Sequence, residues 1–238
     1  MNLRLALIPS CQGNPTVDGS TEAELMHGLA RAIRDVACQY EGVDCRLFDS
    51  PTEVDTVNLP NLTDQIVRAR TWLDGAEAGV ATVTMHLHSD ALYAKDDPKQ
   101  GHVVAMHSSE DISKRLAGQI GDLLGRIFYG ARVDIANGEA RELRAFTMSR
   151  NRHCVVYLEN GVHQLAHHVR IVRERGDVIG RELTETVLRF LGVAPKLRVE
   201  TDAATSALDG IAHNLTIARQ AVDDAWAKMG ELKAAIGR

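Results

Sequence analysis

The stretch Thr82-Val83-Thr84-Met85-His86-Leu87-His88-Ser89-Asp90 reads as a short strand that ends in polar, metal-competent side chains. Two other stretches have the same form. Pro9-Ser10-Cys11-Gln12-Gly13 closes the apolar run that begins at Leu3, and Glu159-Asn160-Gly161 closes Val155-Val156-Tyr157-Leu158. Strands that deliver Cys, His and Glu to their ends, far apart in sequence, suggest one shared site that only the fold can assemble.

Outward from that stretch, strands and helices alternate. Leu3 to Pro9 is a compact apolar run, expected as a buried first strand. A Gly-, Pro-, Asn- and Asp-rich loop follows to Ser20, and Ser20 or Thr21 can cap a helix reaching about Tyr40. Leu25, Leu29, Ala32, Ile33 and Val36 give that helix its apolar stripe. Further strands are expected at Val43 to Phe48, Val80 to His86, Gly101 to His107, Leu143 to Thr147 and His153 to Glu159. Helices are expected at about Leu62 to Ala76, Ile112 to Phe128 and Val169 to Phe190. The pattern predicts an α/β domain over residues 1–194, with a mostly parallel or mixed sheet flanked by helices on both faces. Ligand sites in such folds lie beyond the carboxyl ends of the strands. Residues 195–203 read as a linker. Residues 204–238 place Leu208, Ile211, Leu215, Ala218, Val222, Ala225, Met229, Leu232 and Ile236 at alternating spacings of three and four. That is a heptad repeat, and it predicts a C-terminal coiled-coil helix and a homo-oligomer. One amphipathic helix packed on the domain or on a partner is the alternative.

Composition narrows the function classes. A net charge of -5 gives no general attraction to nucleic acid or anionic lipid, and 4% aromatics leaves few stacking platforms for bases. The run Met1 to Pro9 is too short for a signal peptide, and no apolar run approaches the ~18 residues of a spanning helix. The expectation is synthesis in the cytoplasm, with any export by a route the chain does not encode. Cys11, Cys38, Cys45 and Cys154 form no CxxC pair. Cys11 stands apart because its neighbours are polar and glycine-rich.

A catalytic zinc takes three protein ligands and keeps one position for water. Cys11, Glu24 and His86 offer a thiolate, a carboxylate and an imidazole. A loop cysteine and a helix-start glutamate also have purely structural uses. His88 lies two residues beyond His86, so both face one side of a strand, and His88 suits a supporting or substrate-binding role. Glu159 ends an apolar strand, where a carboxylate is costly unless exposed, paired or functional. Near a metal-bound water it would act as general base and then acid. His102, His107, His153 and His213 read as ordinary surface or core histidines. His163, His167 and His168 follow the Glu159 strand and can approach the site.

At these residues the chain resembles the zinc-dependent N-acetylmuramoyl-L-alanine amidases of the amidase-3 type. Pro9-Ser10-Cys11-Gln12-Gly13 is similar to the family's Pro-Gly-His-Gly-Gly-like loop, with Cys11 where the family has its first zinc histidine. Glu24 matches the glutamate that opens the next helix. Thr84-Met85-His86-Leu87-His88-Ser89 resembles the strand end that carries the third ligand, and Val156-Tyr157-Leu158-Glu159-Asn160-Gly161-Val162 the strand end that carries the catalytic glutamate. The likeness spans about residues 3 to 192. It implies Zn2+ held by Cys11, Glu24 and His86, Glu159 as the catalytic residue, and cleavage of the amide between N-acetylmuramic acid and L-alanine in peptidoglycan. The absent signal peptide fits a phage lysin, released through a holin or carried in the particle. A thiolate at Cys11 would make the metal a weaker Lewis acid. Two alternatives are a binding or assembly protein that keeps the scaffold without catalysis, and a metallohydrolase of soluble peptides or amides.

Overall fold

Alternate residues of the first strand serve two cores. Leu3, Leu5 and Leu7 face one side and Ala6 and Ile8 the other, and all five are buried. A strand buried on both faces belongs in the middle of a covered sheet. The computed structural model, which describes residues 2–49, 60–93, 97, 99–108, 110–138 and 154–198, places it there. Its strands are β1 Leu3–Pro9, β2 Val43–Leu47, β3 Ala81–Asp90, β4 His102–His107, β5 Arg132–Asn137 and β6 Cys154–Val162. They form one sheet in the order β2-β1-β3-β6-β4-β5. β1 runs parallel to β2 and β3, and β3 parallel to β6. β4 is antiparallel to β6 and parallel to β5. The sheet is therefore mixed.

The helices are α1 Glu22–Ala37, α2 Pro60–Asp74, α3 Asp111–Ile127, α4 Ala166–Glu174 and α5 Gly176–Phe190. Four of them, α1, α3, α4 and α5, pack on the face that presents Leu5, Leu7, Met85, Leu87 and Leu158. α2 covers the other face at Ala6, Ile8, Val155 and Tyr157, through Leu62, Ile66, Ala69 and Leu73. α1 and α5 lie close enough that a Cβ on Gly180 would come within 2.8 Å of the Ile33 Cα.

The α/β class, the mixed sheet and the helices on both faces match the expectation from sequence. Several bounds differ. β3 runs on to Asp90 and β6 to Val162, because the two strands pair with each other through His88↔Glu159 and Asp90↔Val162. The closing helix is two helices that meet at Arg175 and Gly176, where a Cβ on Gly176 would come within 3.0 Å of the Ala32 Cβ. β5 is not among the strands expected from sequence, and it pairs in parallel with β4. The expected strand Leu143 to Thr147 lies outside the described residues. So does the heptad helix. The chain divides into units Met1–Leu197 and Arg198–Arg238, and all of the second but Arg198 is outside the described residues. Among the described residues no helix is long and apolar enough to cross a membrane.

Candidate active site

Parallel pairing sets the carboxyl ends of β1, β3 and β6 side by side, with Ile8 opposite His86, Pro9 opposite Leu87, and His88 opposite Glu159. The loop after β1 crosses this edge and closes on itself by a bridge between Pro15 and Thr21. α1 then starts beside the strand ends. Thr21 is its N-cap and accepts from the Glu24 N–H, while the Glu24 side chain accepts from the Thr21 N–H at 2.9 Å. This reciprocal capping box uses the Glu24 carboxylate at the helix start.

Glu22, two residues earlier, turns inward. It is buried to 1% exposure. Its Oε1 lies 3.2 Å from His88 Nδ1 and accepts from the Ser89 N–H at 3.4 Å. Its Oε2 accepts from Asn14 Nδ2 at 2.7 Å, and the same amide donates to Gln12 Oε1 at 2.9 Å. Burial works to raise the Glu22 pKa. The hydrogen bond and charge of His88, with hydrogen bonds from Ser10 and Asn14, outweigh it and hold the carboxyl below its usual range.

His88 stacks on Tyr157, ring centroids 4.4 Å apart. Across the strand pair stands Glu159, 7% exposed, with an Oε2 that has no hydrogen-bond partner among the described residues. Burial pushes its pKa up to about 8, Asp90 and Glu22 push the same way, and His88 and the Tyr157 side chain oppose them. Glu159 therefore carries a proton at neutral pH. A buried carboxyl oxygen without a partner costs about 1–3 kcal/mol, a cost expected where a ligand completes the site. Gln12, Asn14, Glu22, His88, Tyr157, Glu159 and His163 line one cleft of about 450 Å³. A second depression of about 630 Å³ continues from Asp90 and Glu159 along β4 and β5, past Tyr93, Val104, Met106 and Ala136.

The sequence placed five residues at the site, and the structure brings two of them, His88 and Glu159, into the cleft. His86 sits two residues deeper in β3, fully buried, and burial pushes its pKa well below the usual value. Cys11 is buried, its Sγ lies 3.9 Å from the Pro9 carbonyl, and it is not part of the cleft wall. Glu24 is taken by the capping box. Among the described residues no group of three His, Cys, Asp or Glu side chains is placed to hold one metal ion. Glu22 and His88 are two suitable donors side by side, Oε1 of one 3.2 Å from Nδ1 of the other. Cys11, Glu24 and His86 are not found as one such group among the described residues.

Glu22 escaped the sequence reading, which named His163 only as able to approach the site and Asp90 only as the end of the β3 stretch. Glu22 was signalled by the Thr21-x-x-Glu24 pattern, which uses up Glu24 and leaves the other glutamate of the first turn. His163 is held by Ser89, its Nδ1 at 3.1 Å from the Ser89 carbonyl oxygen. Asp90 accepts from Tyr93 at 2.6 Å and meets the buried His102 Nε2 at 3.0 Å. No local sequence pattern announces the partners of His163 and Asp90.

No family profile matches the chain, and no curated protein matches it. Solved structures do. The N-acetylmuramoyl-L-alanine amidase AmiC2 of Nostoc punctiforme superposes with a TM-score of 0.58 at 15% identity, covering 79% of this chain and 97% of that one. The N-acetylmuramoyl-L-alanine amidase of Clostridium difficile 630 gives 0.60 at 16% identity, covering 81% and 98%. The CwlD amidase of Clostridioides difficile, solved with the GerS lipoprotein, gives 0.60 at 12%, covering 81% and 99%. The chain shares the fold of these amidases, and at such identities the likeness is one of fold.

Proposed function

We propose that this chain hydrolyses an amide bond in a peptidoglycan-type substrate, the bond between N-acetylmuramic acid and L-alanine. The observation that carries the proposal is the cleft at the carboxyl edge of the sheet, where Glu22, His88 and Glu159 stand together on the scaffold of amidase enzymes. The two depressions meet at Glu159, which leaves room on both sides of the reacting bond, as a polymeric substrate requires. Glu159, protonated at neutral pH, is suited to hand its proton to the departing amine. Its strand register keeps it beside His88. Zinc, expected from the resemblance, would find two donors here in Glu22 and His88.

The test is digestion of purified peptidoglycan followed by mass spectrometry. Stem peptides with a new L-alanine amino terminus, from glycan that stays uncut, are the expected product. Glu159→Gln keeps binding and loses turnover by about 100-fold or more. A Glu159→Gln variant that cleaves at the parent rate contradicts the role.

A second reading, a binding protein on the same scaffold, is favoured by the contacts that Asn14, the Ser89 N–H and His88 make with the Glu22 carboxylate. Under that reading the chain sediments with peptidoglycan and releases no peptide.

A further inference from the structure

The sheet ends on β5, whose strand partner among the described residues is β4 alone. This edge strand keeps two apolar side chains at the surface, Val133 at 36% exposure and Ile135 at 46%. Both lie against α3 where its glycines leave room. A Cβ on Gly125 would come within 2.6 Å of Val133 Cγ2, and one on Gly121 within 3.1 Å of Ile135 Cγ1. The Arg132 N–H donates to the Gly101 carbonyl at 3.1 Å, and the Gly138 N–H to the His107 carbonyl at 3.0 Å. Successive residues of a paired strand direct their backbone groups to alternate sides. The even-numbered residues of β5 therefore bond β4, and Val133 and Ile135 turn their N–H and C=O groups away from it. An edge of this kind is a template for another strand.

We propose that β5 pairs antiparallel with β5 of a second copy of the chain, about a two-fold axis at Val133. The residues themselves select that register. Outward-facing residues must stand opposite one another, so the axis falls on Val133, Asp134 or Ile135. Centred on Asp134, two carboxylates stand face to face, which is destabilising. Centred on Ile135, Asp134 meets Ala136 and Val133 meets Asn137. Centred on Val133, Arg132 of each copy meets Asp134 of the other, and Val133 meets Val133. Within one chain Arg132 Nη1 already lies 3.0 Å from Asp134 Oδ2. The second copy turns that pair into a square of alternating charges and covers Val133. Asp134 and Ala136 line the depression that runs from Glu159, so the joined sheet carries both depressions on one face. A pairing this short is weak alone. The heptad pattern from Leu208 to Ile236, which predicts association of chains, would raise the local concentration of the second copy.

The test is disulfide trapping of the full chain in a glutathione redox buffer. Cys38, the exposed native thiol, is replaced by Ser in every variant. Val133 and its counterpart would hold their Cα atoms ~5.5 Å apart, inside the reach of a disulfide. Ile135 and its counterpart would stand about 14 Å apart along the strands, outside it. Val133→Cys should therefore form a covalent dimer, and Ile135→Cys, at the more exposed position, should not. Arg132→Glu added to Val133→Cys should slow trapping about fivefold or more, and Asp134→Arg added to both should restore it. Equal trapping at the two positions, trapping at Ile135→Cys alone, or a rate indifferent to the charge reversal overturns the proposal. So does trapping at neither, whether light scattering reports a monomer or an oligomer. A Val133→Cys thiol shielded from maleimide only when peptidoglycan is added gives the edge to a peptide strand and overturns self-pairing.

Discussion

Two glutamates two residues apart at the start of α1 have opposite fates. Glu24 accepts from the Thr21 N–H and stays at the surface; Glu22 is buried against His88. Helix geometry accounts for this, since residues two apart do not share a face. Glu24→Ala should therefore cost about 0.5–2 kcal/mol of stability, in line with a lost cap, and leave turnover unchanged. Glu22→Gln should abolish turnover. Denaturant melts and the digestion assay on the two variants check this, and loss of turnover in Glu24→Ala alone would return that residue to the site. Gly161 is another single-residue constraint. Its φ of +84° suits glycine, and a Cβ there would lie 2.8 Å from Phe128 and 3.0 Å from His168. Gly161→Ala should destabilise by about 1–3 kcal/mol and disturb Glu159 two residues away, seen as a lowered Tm and a lowered kcat.

At the scale of elements, the order of strands and helices was legible because each amphipathic stripe is local. Leu25, Leu29 and Ile33 on α1 and the alternation of β1 are read within single windows of sequence. The ends of strands were not legible, because partners far away set them. β3 reaches Asp90 only because β6 continues beside it to Val162. Four extra residues of β3 move the strand end from His86 to Asp90 and bring His88 to the cleft. Both histidines were legible as sharing one face; which of them reaches the cleft depended on that long-range pairing. Cys11 was legible as an unusual cysteine, but the direction of its side chain is set by the turn after β1. The helix pair α1 and α5 gives a test of packing. Gly180→Val should clash with the Ile33 backbone and lower stability by about 1–3 kcal/mol, measured by chemical denaturation.

For the whole molecule, two buried groups give stability a dependence on pH with opposite signs. His168 Nδ1 accepts from the Val162 N–H at 2.9 Å, and burial, helped by His167 and His102, lowers its pKa to about 4. The unfolded chain binds that proton first, so stability falls as pH drops from about 6.5 towards 4. Glu159, raised to about 8, keeps its proton in the folded state, so stability falls as pH rises from about 4.5 through 8. Tm should peak near pH 6, and Glu159→Gln should flatten the alkaline side alone. A Tm that keeps rising to pH 9 in the parent would mean that Glu159 is ionised in the fold. The heptad pattern from Leu208 to Ile236 proposes association of several chains, each presenting one cleft, and light scattering on the full chain reads that directly.

The account turns on amide cleavage at Glu159. The most direct measurement is mass spectrometry of peptidoglycan after incubation with the parent chain and with Glu159→Gln. The predicted result is release of stem peptides beginning with a free L-alanine amine by the parent only. Intact peptidoglycan after incubation with the parent, or equal release by both proteins, would contradict it.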